Sequence, residues 1–243
     1  NVQNNISFKG DVGFKKNPEP VISYEGELPY WYNKNGLNFG NLSSNINLNR
    51  TKLDNLNIFR NNGISGFITA NGNLSGNLNN INTLINFNIE YPTYKGVRIK
   101  ETFDGKIENK ENGYLLKLTP RESVIPTFLS IDFDQNFKLD KLNLSRTLYP
   151  YTGNLNIFKK NNYYQWKADK FNLKKLELSI LDNDYEWVEG EINGSGFISR
   201  DLTNFDGRIS LKDGKYRNIK VTESNINFEQ NGDNLNLETL LKT

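Results

Sequence analysis

The chain has 243 residues, with 30 Lys and Arg against 28 Asp and Glu, so a net charge of +2 gives no electrostatic basis for binding nucleic acid. His, Cys and Met are absent, which removes the commonest general base, the commonest zinc ligand and every disulfide. Aromatic residues make up 12% of the chain, too many for a disordered protein, although the mean hydropathy is −0.67. No apolar run approaches the roughly 18–20 residues of a transmembrane helix.

Alternation of polar and apolar residues is the dominant pattern of the sequence. Because successive side chains of a strand point to opposite faces, each alternating segment predicts a strand with one apolar face. Apolar residues two apart occur first at Ile46/Leu48, Leu56/Ile58, Phe87/Ile89/Tyr91, Val97/Ile99, Leu129/Ile131/Phe133, Leu155/Ile157 and Leu176/Leu178/Ile180. They continue at Phe205/Gly207/Ile209/Leu211, where a glycine takes one of the alternate positions, and at Ile219/Val221, Ile226/Phe228 and Leu235/Leu237.

Asn-Gly and Asp-Gly pairs punctuate these segments and predict tight turns, because both pairs tolerate the positive φ that hairpin turns require. They occur at Asn62-Gly63, Asn71-Gly72, Asn112-Gly113, Asn193-Gly194, Asp213-Gly214 and Asn231-Gly232. Helical periodicity is almost absent, so few or no helices are expected.

Residues 72–118 and 194–237 share an order of features and form a weak internal repeat. In each, a strand leads into a Tyr-bearing turn and a second strand, and a further strand follows an Asn-Gly pair. No change of composition marks a domain boundary. We therefore expect residues 1–243 to be a single elongated β-rich segment. Since the chain does not begin with Met, we also expect it to belong to a longer protein.

The number of predicted strands, some fifteen to twenty, narrows the architecture, because open sheets rarely exceed about ten strands without curling or splitting. Tandem sandwiches would close their apolar faces on each other, whereas one long sheet folded along its axis would leave an apolar groove. The repeat favours the second arrangement. The predicted fold is all-β: an elongated, folded antiparallel or mixed sheet shaped like a trough (β-taco-like), with an apolar concave face.

One acidic cluster has the spacing of calcium ligands. Asp182, Asp184 and Glu186 alternate as they would in a calcium-binding loop, but Trp187 stands where the EF-hand loop needs Gly. A solvated turn is the better interpretation, and we predict no metal site.

Two further motifs are weak candidates for catalysis. Asp132 and Asp134 flank Phe133 and therefore lie on the polar face of a strand, where nothing indicates the cleft that paired acids need. Ser195 has no His to activate it. We therefore predict no catalytic residues and no cofactor, and expect a protein that is not an enzyme.

The C-terminal part of the chain resembles a known family. Residues 194–202 form a Gly-rich strand, residues 205–211 a strand with the pattern Asp-Gly-x-hydrophobic, and residues 216–219 a turn with Tyr and Asn. Together they are similar to the strand units of TamB/AsmA-like proteins of the Gram-negative envelope. The resemblance is firmest over residues 187–241 and weaker over 72–118.

The resemblance implies a periplasmic β-trough that is anchored at the inner membrane through a segment outside this chain. It also implies a function in moving phospholipid between the inner and outer membranes, or in outer-membrane protein assembly, either with an outer-membrane β-barrel protein as a partner or alone. No catalytic residues are implied. An exposed apolar face would also favour dimerisation of the segment.

From the alternation we predict which residues line an apolar groove that holds the acyl chains of a phospholipid or similar lipid. They are Phe87, Ile89, Val97, Ile99, Phe205, Ile209, Leu211, Ile219, Val221, Ile226, Phe228, Leu235 and Leu237. Two alternatives remain open at this stage: a structural or adhesive cell-surface β-solenoid, and a carbohydrate-binding sandwich that uses Trp31, Trp166 or Trp187.

Overall fold

The structure is a computed structural model that describes residues 4–14, 17–55, 57–61, 63–180, 186–200, 203–231 and 234–242. Strands make up nearly all of these residues, so the predicted all-β class is confirmed. The first nine strands are β1 (Asn4–Phe14), β2 (Asn17–Asn33), β3 (Gly36–Phe39), β4 (Leu42–Lys52), β5 (Ile64–Asn77), β6 (Asn80–Tyr94), β7 (Val97–Ile99), β8 (Phe103–Lys110) and β9 (Gly113–Pro120). The others are β10 (Thr127–Phe133), β11 (Leu139–Leu148), β12 (Tyr151–Lys160), β13 (Tyr163–Asn172), β14 (Leu176–Ile180), β15 (Glu186–Ser199), β16 (Asn204–Tyr216), β17 (Ile219–Asn231) and β18 (Asn234–Lys242).

Helical structure in the described residues is confined to one connection. A 3-10 turn at Leu53–Asn55 leads into the short helix α1 (Asn57–Asn61) between β4 and β5. The strand predicted around Leu56/Ile58 is therefore wrong, and Leu56 itself lies outside the described residues. The apolar spacing there belongs to a connection in which Leu53 is buried. In the part of the chain that the structure describes, no helix has the length and apolar character needed to cross a membrane.

One antiparallel meander links most of the strands. Each long strand pairs with the next along the path β1–β2–β4–β5–β6–β8–β9–β10–β11–β12–β13–β15–β16–β17–β18. The short strand β3 folds back on β2, and β7 and β14 stand outside this path. Sequential antiparallel pairing is what short connections between alternating segments favour.

The meander closes on itself through β7 and β14, which we call the strap. β7 pairs with β6 over two residue pairs and with β14 over three, and β14 pairs with β15 over three. The ring β6–β8–β9–β10–β11–β12–β13–β15–β14–β7 is a closed ten-stranded antiparallel barrel. The predicted open trough is therefore corrected to a barrel. Alternation fixes which face of each strand is apolar but carries no information on which edges meet.

Two sheets extend the barrel. Strands β1 to β5 continue from the free edge of β6 and form the N-terminal arm, while β16 to β18 continue from β15 and form the C-terminal arm. The accessible surface of the molecule is 16151 Å², whereas a compact monomer of 28.0 kDa exposes about 11,000 Å². The large surface reflects arms and a barrel interior that no second layer covers in the described residues.

Several predicted turns lie elsewhere than expected. Asn112-Gly113 does form the β8–β9 turn, as predicted. In contrast, Asn71-Gly72 and Asn193-Gly194 lie inside β5 and β15, and Asp213-Gly214 lies inside β16, where Asp213 has a φ of 50°. In the first two pairs Asn faces the polar side and Gly the apolar side. The glycines are needed for cross-strand packing, not for a turn.

The two copies of the weak repeat begin alike and then diverge. Tyr94 pairs with Val97 across the β6–β7 turn, and Tyr216 pairs with Ile219 across the β16–β17 turn. In the second copy the next strand, β17, runs unbroken. In the first copy it is interrupted after Ile99, and its first part becomes β7 of the strap.

Candidate functional site

A single row of apolar residues and glycines crosses the whole meander. The cross-strand registers place one residue from each strand side by side, on the same face. The row is Gly10, Tyr24, Ile46, Gly72, Ile85, Ile107, Leu116, Ile131, Leu142, Ile157, Trp166, Gly196, Gly207, Phe228 and Leu237.

A second row lies two residues further along each strand, on the same face, and only its last member is polar. It comprises Val12, Ile22, Leu48, Ala70, Phe87, Gly105, Leu118, Leu129, Leu144, Leu155, Ala168, Gly194, Ile209, Ile226 and Thr239. The two rows form one apolar surface that continues from the first arm through the barrel to the second arm.

The opposite face of the sheet, between the two rows, is polar in every strand. Its residues are Asp11, Ser23, Asn47, Asn71, Asn86, Lys106, Lys117, Ser130, Asn143, Asn156, Lys167, Ser195, Arg208, Asn227 and Glu238. Neighbours in this row bond to each other: Asn143 donates to Asn156 at 2.6 Å, and Arg208 donates to Asn227 at 2.9 Å. The many Asn residues thus serve as cross-strand hydrogen-bonding partners.

The apolar rows line the inside of the barrel. The buried cluster of Trp166, Ala168 and Phe171 lies on this face, packed against Leu155 and Ile157 among others, whereas Lys167 on the opposite face is exposed. We call the interior of the barrel the lumen.

Side chains line the lumen, and those of its aliphatic residues keep part of their surface accessible. Ten aliphatic residues of the two rows face it, and each is half-buried where a packed core would bury it fully. They are Ile85, Ile107, Leu116, Leu118, Leu129, Ile131, Leu142, Leu144, Leu155 and Ile157. Eight strands give an interior just wide enough for side chains to fill, so ten strands leave additional space.

Glycines let aromatic rings lie along the wall instead of projecting into the lumen. A Cβ on Gly105 would come within 2.2 Å of the ring of its partner Phe87. Trp166 covers Gly194, Gly196 and Gly207 in the same way, and its Nε1 donates to the carbonyl of Asp206 at 3.1 Å. The same contact occurs in the N-terminal arm, where Phe8 lies over Gly26 and Tyr24 over Gly10.

Most of the predicted lining residues lie on the apolar face. Phe87, Ile209, Ile226, Phe228 and Leu237 belong to the two rows. The alternation places Ile89, Phe205, Leu211 and Leu235 on the same face in flanking positions.

The other predicted lining residues lie apart from the rows. Val97 and Ile99 belong to the strap, where they are half-buried and pair with β14. Ile219 and Val221 share the parity of Asn227, and their partner strand β16 contains Asp213, whose φ is 50°. Neither of these two residues lies in the two rows.

Sequence reasoning missed the lining that β8 to β13 contribute, including Leu116, Leu142 and Trp166. The signal was present, because these strands alternate as clearly as β16 and β17. The lining predicted from the sequence includes only residues of the two copies of the repeat.

The acidic and serine candidates lie outside the lumen. Asp132 is on the polar face and forms an ion pair with Lys110. Asp134 accepts the backbone N–H groups of Asn136 and Lys138 at 2.8 and 2.9 Å, which lowers its pKa and stabilises a turn. Ser195 is exposed on the polar row.

Asp182 and Asp184 of the predicted calcium-like cluster lie outside the described residues. Within the residues that are described, no group of three or more acidic side chains could hold a metal ion. The tryptophans considered for sugar binding differ in exposure. Trp166 lies buried on its glycines, Trp31 is half-buried in β2, and Trp187 is largely exposed on β15.

One end of the lumen is polar. Arg146, on β11, is buried there beneath the β9–β10 and β13–β14 connections, and its Nη2 donates to the carbonyl of Lys174 at 3.0 Å. Glu101, in the β7–β8 connection, lies close enough to interact electrostatically with Arg146. Burial raises the pKa of Glu101, while the charge of Arg146 and a hydrogen bond from Ser123 act in the opposite direction.

Comparison with known proteins finds no matching family model, no matching curated protein and no matching solved structure.

Proposed function

We propose that this protein binds the acyl chains of lipids in its lumen and on the apolar faces of its arms, and conducts them along this surface. The observation that supports the proposal is the lumen itself, whose ten aliphatic lining residues all keep accessible surface although they face the inside of a closed barrel. A protein stabilised by its core alone would close that space, because interiors pack to the density of organic crystals. The continuity of both apolar rows with the arms supports a path and not an isolated pocket.

The energetics of such a path fit a lipid ligand. Burying one methylene group is worth about 0.8 kcal/mol, so a chain of about fifteen methylenes prefers the lumen to water by roughly 12 kcal/mol. Relative to the bilayer interior the same transfer is nearly neutral, since both environments are hydrocarbon. The aromatic rings that lie flat on glycines keep the wall smooth. The lumen would therefore retain a chain against water without trapping it relative to a membrane.

The cellular setting is also part of the proposal. The resemblance of residues 187–241 to TamB/AsmA-like proteins supports a periplasmic location, with a membrane anchor outside this segment and an outer-membrane barrel protein as a partner. Lipid movement between the two membranes is the function that the apolar lumen supports best. Assistance to outer-membrane protein assembly is the other function the resemblance implies.

Photo-crosslinking provides the test. A photoreactive phenylalanine analogue is placed at Ile157 in one variant and at Asn156 in another, because these neighbours are both half-buried and face opposite sides of β12. Protein purified from a Gram-negative host is irradiated, and adducts are identified by mass spectrometry. We expect lipid adducts at position 157 only.

Equal lipid adducts at both positions would indicate nonspecific association with the surface. Absence of adducts at position 157, together with no co-purifying lipid in solvent extracts, would contradict the proposal.

A further inference from the structure

A buried arginine interrupts the apolar wall of the lumen. Arg146 follows Leu142 and Leu144 at two-residue intervals on β11, so alternation places it on the lumenal face. It pairs with Thr127 on one side and Gly153 on the other. With a fractional exposure of 2%, it is among the most buried side chains of the described residues.

The guanidinium of Arg146 is poorly satisfied. Within the described part of the chain, one of its five N–H groups forms a bond, from Nη2 to the carbonyl of Lys174, and the buried Nε has no partner there. Among the described residues, no carboxylate forms a salt bridge with it. A buried charge is normally paired and fully hydrogen-bonded, because desolvation without compensation is costly. An anion placed against the guanidinium would supply this compensation.

Glu101 does not supply that anion in a fixed way. Its carboxyl group interacts with Arg146 only through space, without a hydrogen bond or salt bridge between the two side chains in the described residues. Glu177 is itself engaged by Lys100 at 2.9 Å. A negatively charged ligand would satisfy Arg146 better than either residue does.

We propose that Arg146 binds the phosphodiester group of a phospholipid whose acyl chains occupy the lumen. This inference rests on the proposed function and names its ligand class. The planar fork of arginine matches phosphate oxygens and is the preferred side chain for bidentate recognition of such groups. A cleft of about 440 Å³ borders Glu101 and is lined by acidic and basic side chains, among them Glu122, Arg121 and Lys175, and it offers space for the rest of a headgroup.

The opposite end of the lumen supports this orientation. There Tyr114, in line with Leu116 and Leu118 on β9, stacks on Phe137 with ring centroids 4.3 Å apart. From Tyr114 to Pro120 the strand rises about 20 Å, so acyl chains have an apolar path that leads away from Arg146. One end of the lumen thus holds a buried arginine and the other a pair of stacked aromatic rings.

The test compares lipids that share acyl chains and differ in the headgroup. Wild-type protein is incubated with vesicles of dioleoylphosphatidylcholine that contain dioleoylphosphatidylglycerol and dioleoylglycerol in equal amounts, re-isolated, and extracted for mass spectrometry. We expect dioleoylphosphatidylglycerol to be retained at least about tenfold over dioleoylglycerol, although the vesicles supply the two in equal amounts. Arg146→Met should bring the ratio close to that of the vesicles and leave total acyl-chain loading unchanged. Lys167→Met, which removes an exposed cation from the outer row, should retain the wild-type preference.

Three outcomes would overturn the inference. In the first, Arg146→Met folds with an unchanged headgroup preference. In the second, it reduces both lipids equally, which is the result of a purely structural role. In the third, inorganic phosphate binds the wild-type protein and leaves the lipid ratio unaffected, which would assign the site to free phosphate.

If Arg146→Met does not fold, Arg146→Lys gives the decisive comparison, because lysine keeps the positive charge but lacks the planar guanidinium group. A reduced preference for phospholipid over dioleoylglycerol, with total lipid loading unchanged, supports the inference. An unchanged headgroup preference overturns it. If the proposed function itself is wrong, the wild-type protein will retain neither dioleoylphosphatidylglycerol nor dioleoylglycerol. That result differs from every outcome that concerns Arg146 alone.

Discussion

The barrel and its two arms are built from the same pattern but differ in how far their apolar face is covered. In the first row, Trp166 of the barrel is 8% exposed, whereas Leu237 at the end of the C-terminal arm is 60% exposed. In the second row, Phe87 of the barrel is buried, and Val12 of the N-terminal arm is half exposed. Alternation therefore determines which face a residue occupies, and closure of the sheet determines whether that face is shielded from water.

The closure depends on few contacts. The strap joins β6 to β15 through two or three residue pairs at each step, whereas β16 and β17 pair along nearly their whole length. A small element thus converts a continuous sheet into a lumen with two open extensions. Matched positions in the barrel and the arms therefore separate the effect of residue alternation from the effect of sheet closure.

Adding a methyl group to glycines under aromatic rings should give the largest difference between the two regions. In the barrel, a Cβ on Gly196 would lie 1.9 Å from the carbonyl oxygen of Asp206 and 2.5 Å from Nε1 of Trp166. In the arm, a Cβ on Gly10 would meet only the outer atoms of the exposed Tyr24 ring. We expect Gly196→Ala to lower the free energy of unfolding by about 2–3 kcal/mol and Gly10→Ala by about 0.5 kcal/mol or less.

Urea denaturation followed by tryptophan fluorescence measures both values. Ser195→Ala is the control, since it changes the adjacent residue on the exposed polar row and should be nearly neutral. Similar costs for the two glycine variants would show that the arm is as tightly packed as the barrel.

Locking the strap should alter lipid uptake. Arg98 and Ser179 are directly paired between β7 and β14, and paired residues of antiparallel strands have the spacing that a disulfide requires. The chain has no native cysteine, so Arg98→Cys with Ser179→Cys introduces a single disulfide. We expect oxidation to slow lipid loading from vesicles at least about tenfold, because a locked strap keeps the lumen separate from the arms. Loading is followed by mass spectrometry of re-isolated protein.

A disulfide in the barrel wall provides the comparison for this experiment. Asn156→Cys with Lys167→Cys links two paired residues on the outer face of β12 and β13. This variant should load lipid at the wild-type rate whether oxidised or reduced. Reduction of the strap variant should restore loading, and an oxidised strap without effect would show that chains enter through an end of the lumen.

Much of this architecture could be predicted from the sequence, because it depends on the alternation of polar and apolar residues within each strand. The apolar faces around Phe87, Ile209 and Phe228 follow directly from alternation. Closure could not be predicted, since Val97–Ile99 has the same pattern as any other strand, and its partner β14 lies some 80 residues away. The glycines of Asn71-Gly72 and Asn193-Gly194 were assigned to turns because their cross-strand neighbours are not visible in the sequence.

Arg146 did leave a signal in the sequence. It lies at an alternate position of the strand, in line with Leu142, Leu144 and Leu148, where an apolar residue is expected. A charged residue on the predicted apolar face of a strand is an exception that can be recognised in the sequence. Its burial beneath two connections depends on closure of the barrel and could be found only in the structure.

Truncating lumenal side chains should cost less than it does in a packed core. Ile157 is half-buried and faces the lumen, so Ile157→Ala creates little new cavity, and we expect a loss of about 1–2 kcal/mol in the free energy of unfolding. Leu237→Ala in the arm should cost about 0.5 kcal/mol or less. Thermal and urea denaturation measure both. A loss of about 4 kcal/mol at Ile157 would indicate a filled interior and would contradict an accessible lumen.

The smallest expected effect comes from ion pairs on the outer face of the barrel. Hydrogen bonds from Lys106 and Lys117 lower the pKa of Glu108 from 4.5 to about 2. Because the folded state holds this carboxylate at a lowered pKa, its stabilising contribution is present above pH 4.5 and is lost as the pH falls towards 2. Glu108→Gln should therefore destabilise the protein at pH 7, by about 1 kcal/mol or less because the group is partly exposed, and should have no effect near pH 2. Urea denaturation across this range, repeated in 1 M salt to screen the ion pairs, measures the difference. An equal loss at both ends of the range would mean that the side chain stabilises the barrel by packing and not by its charge.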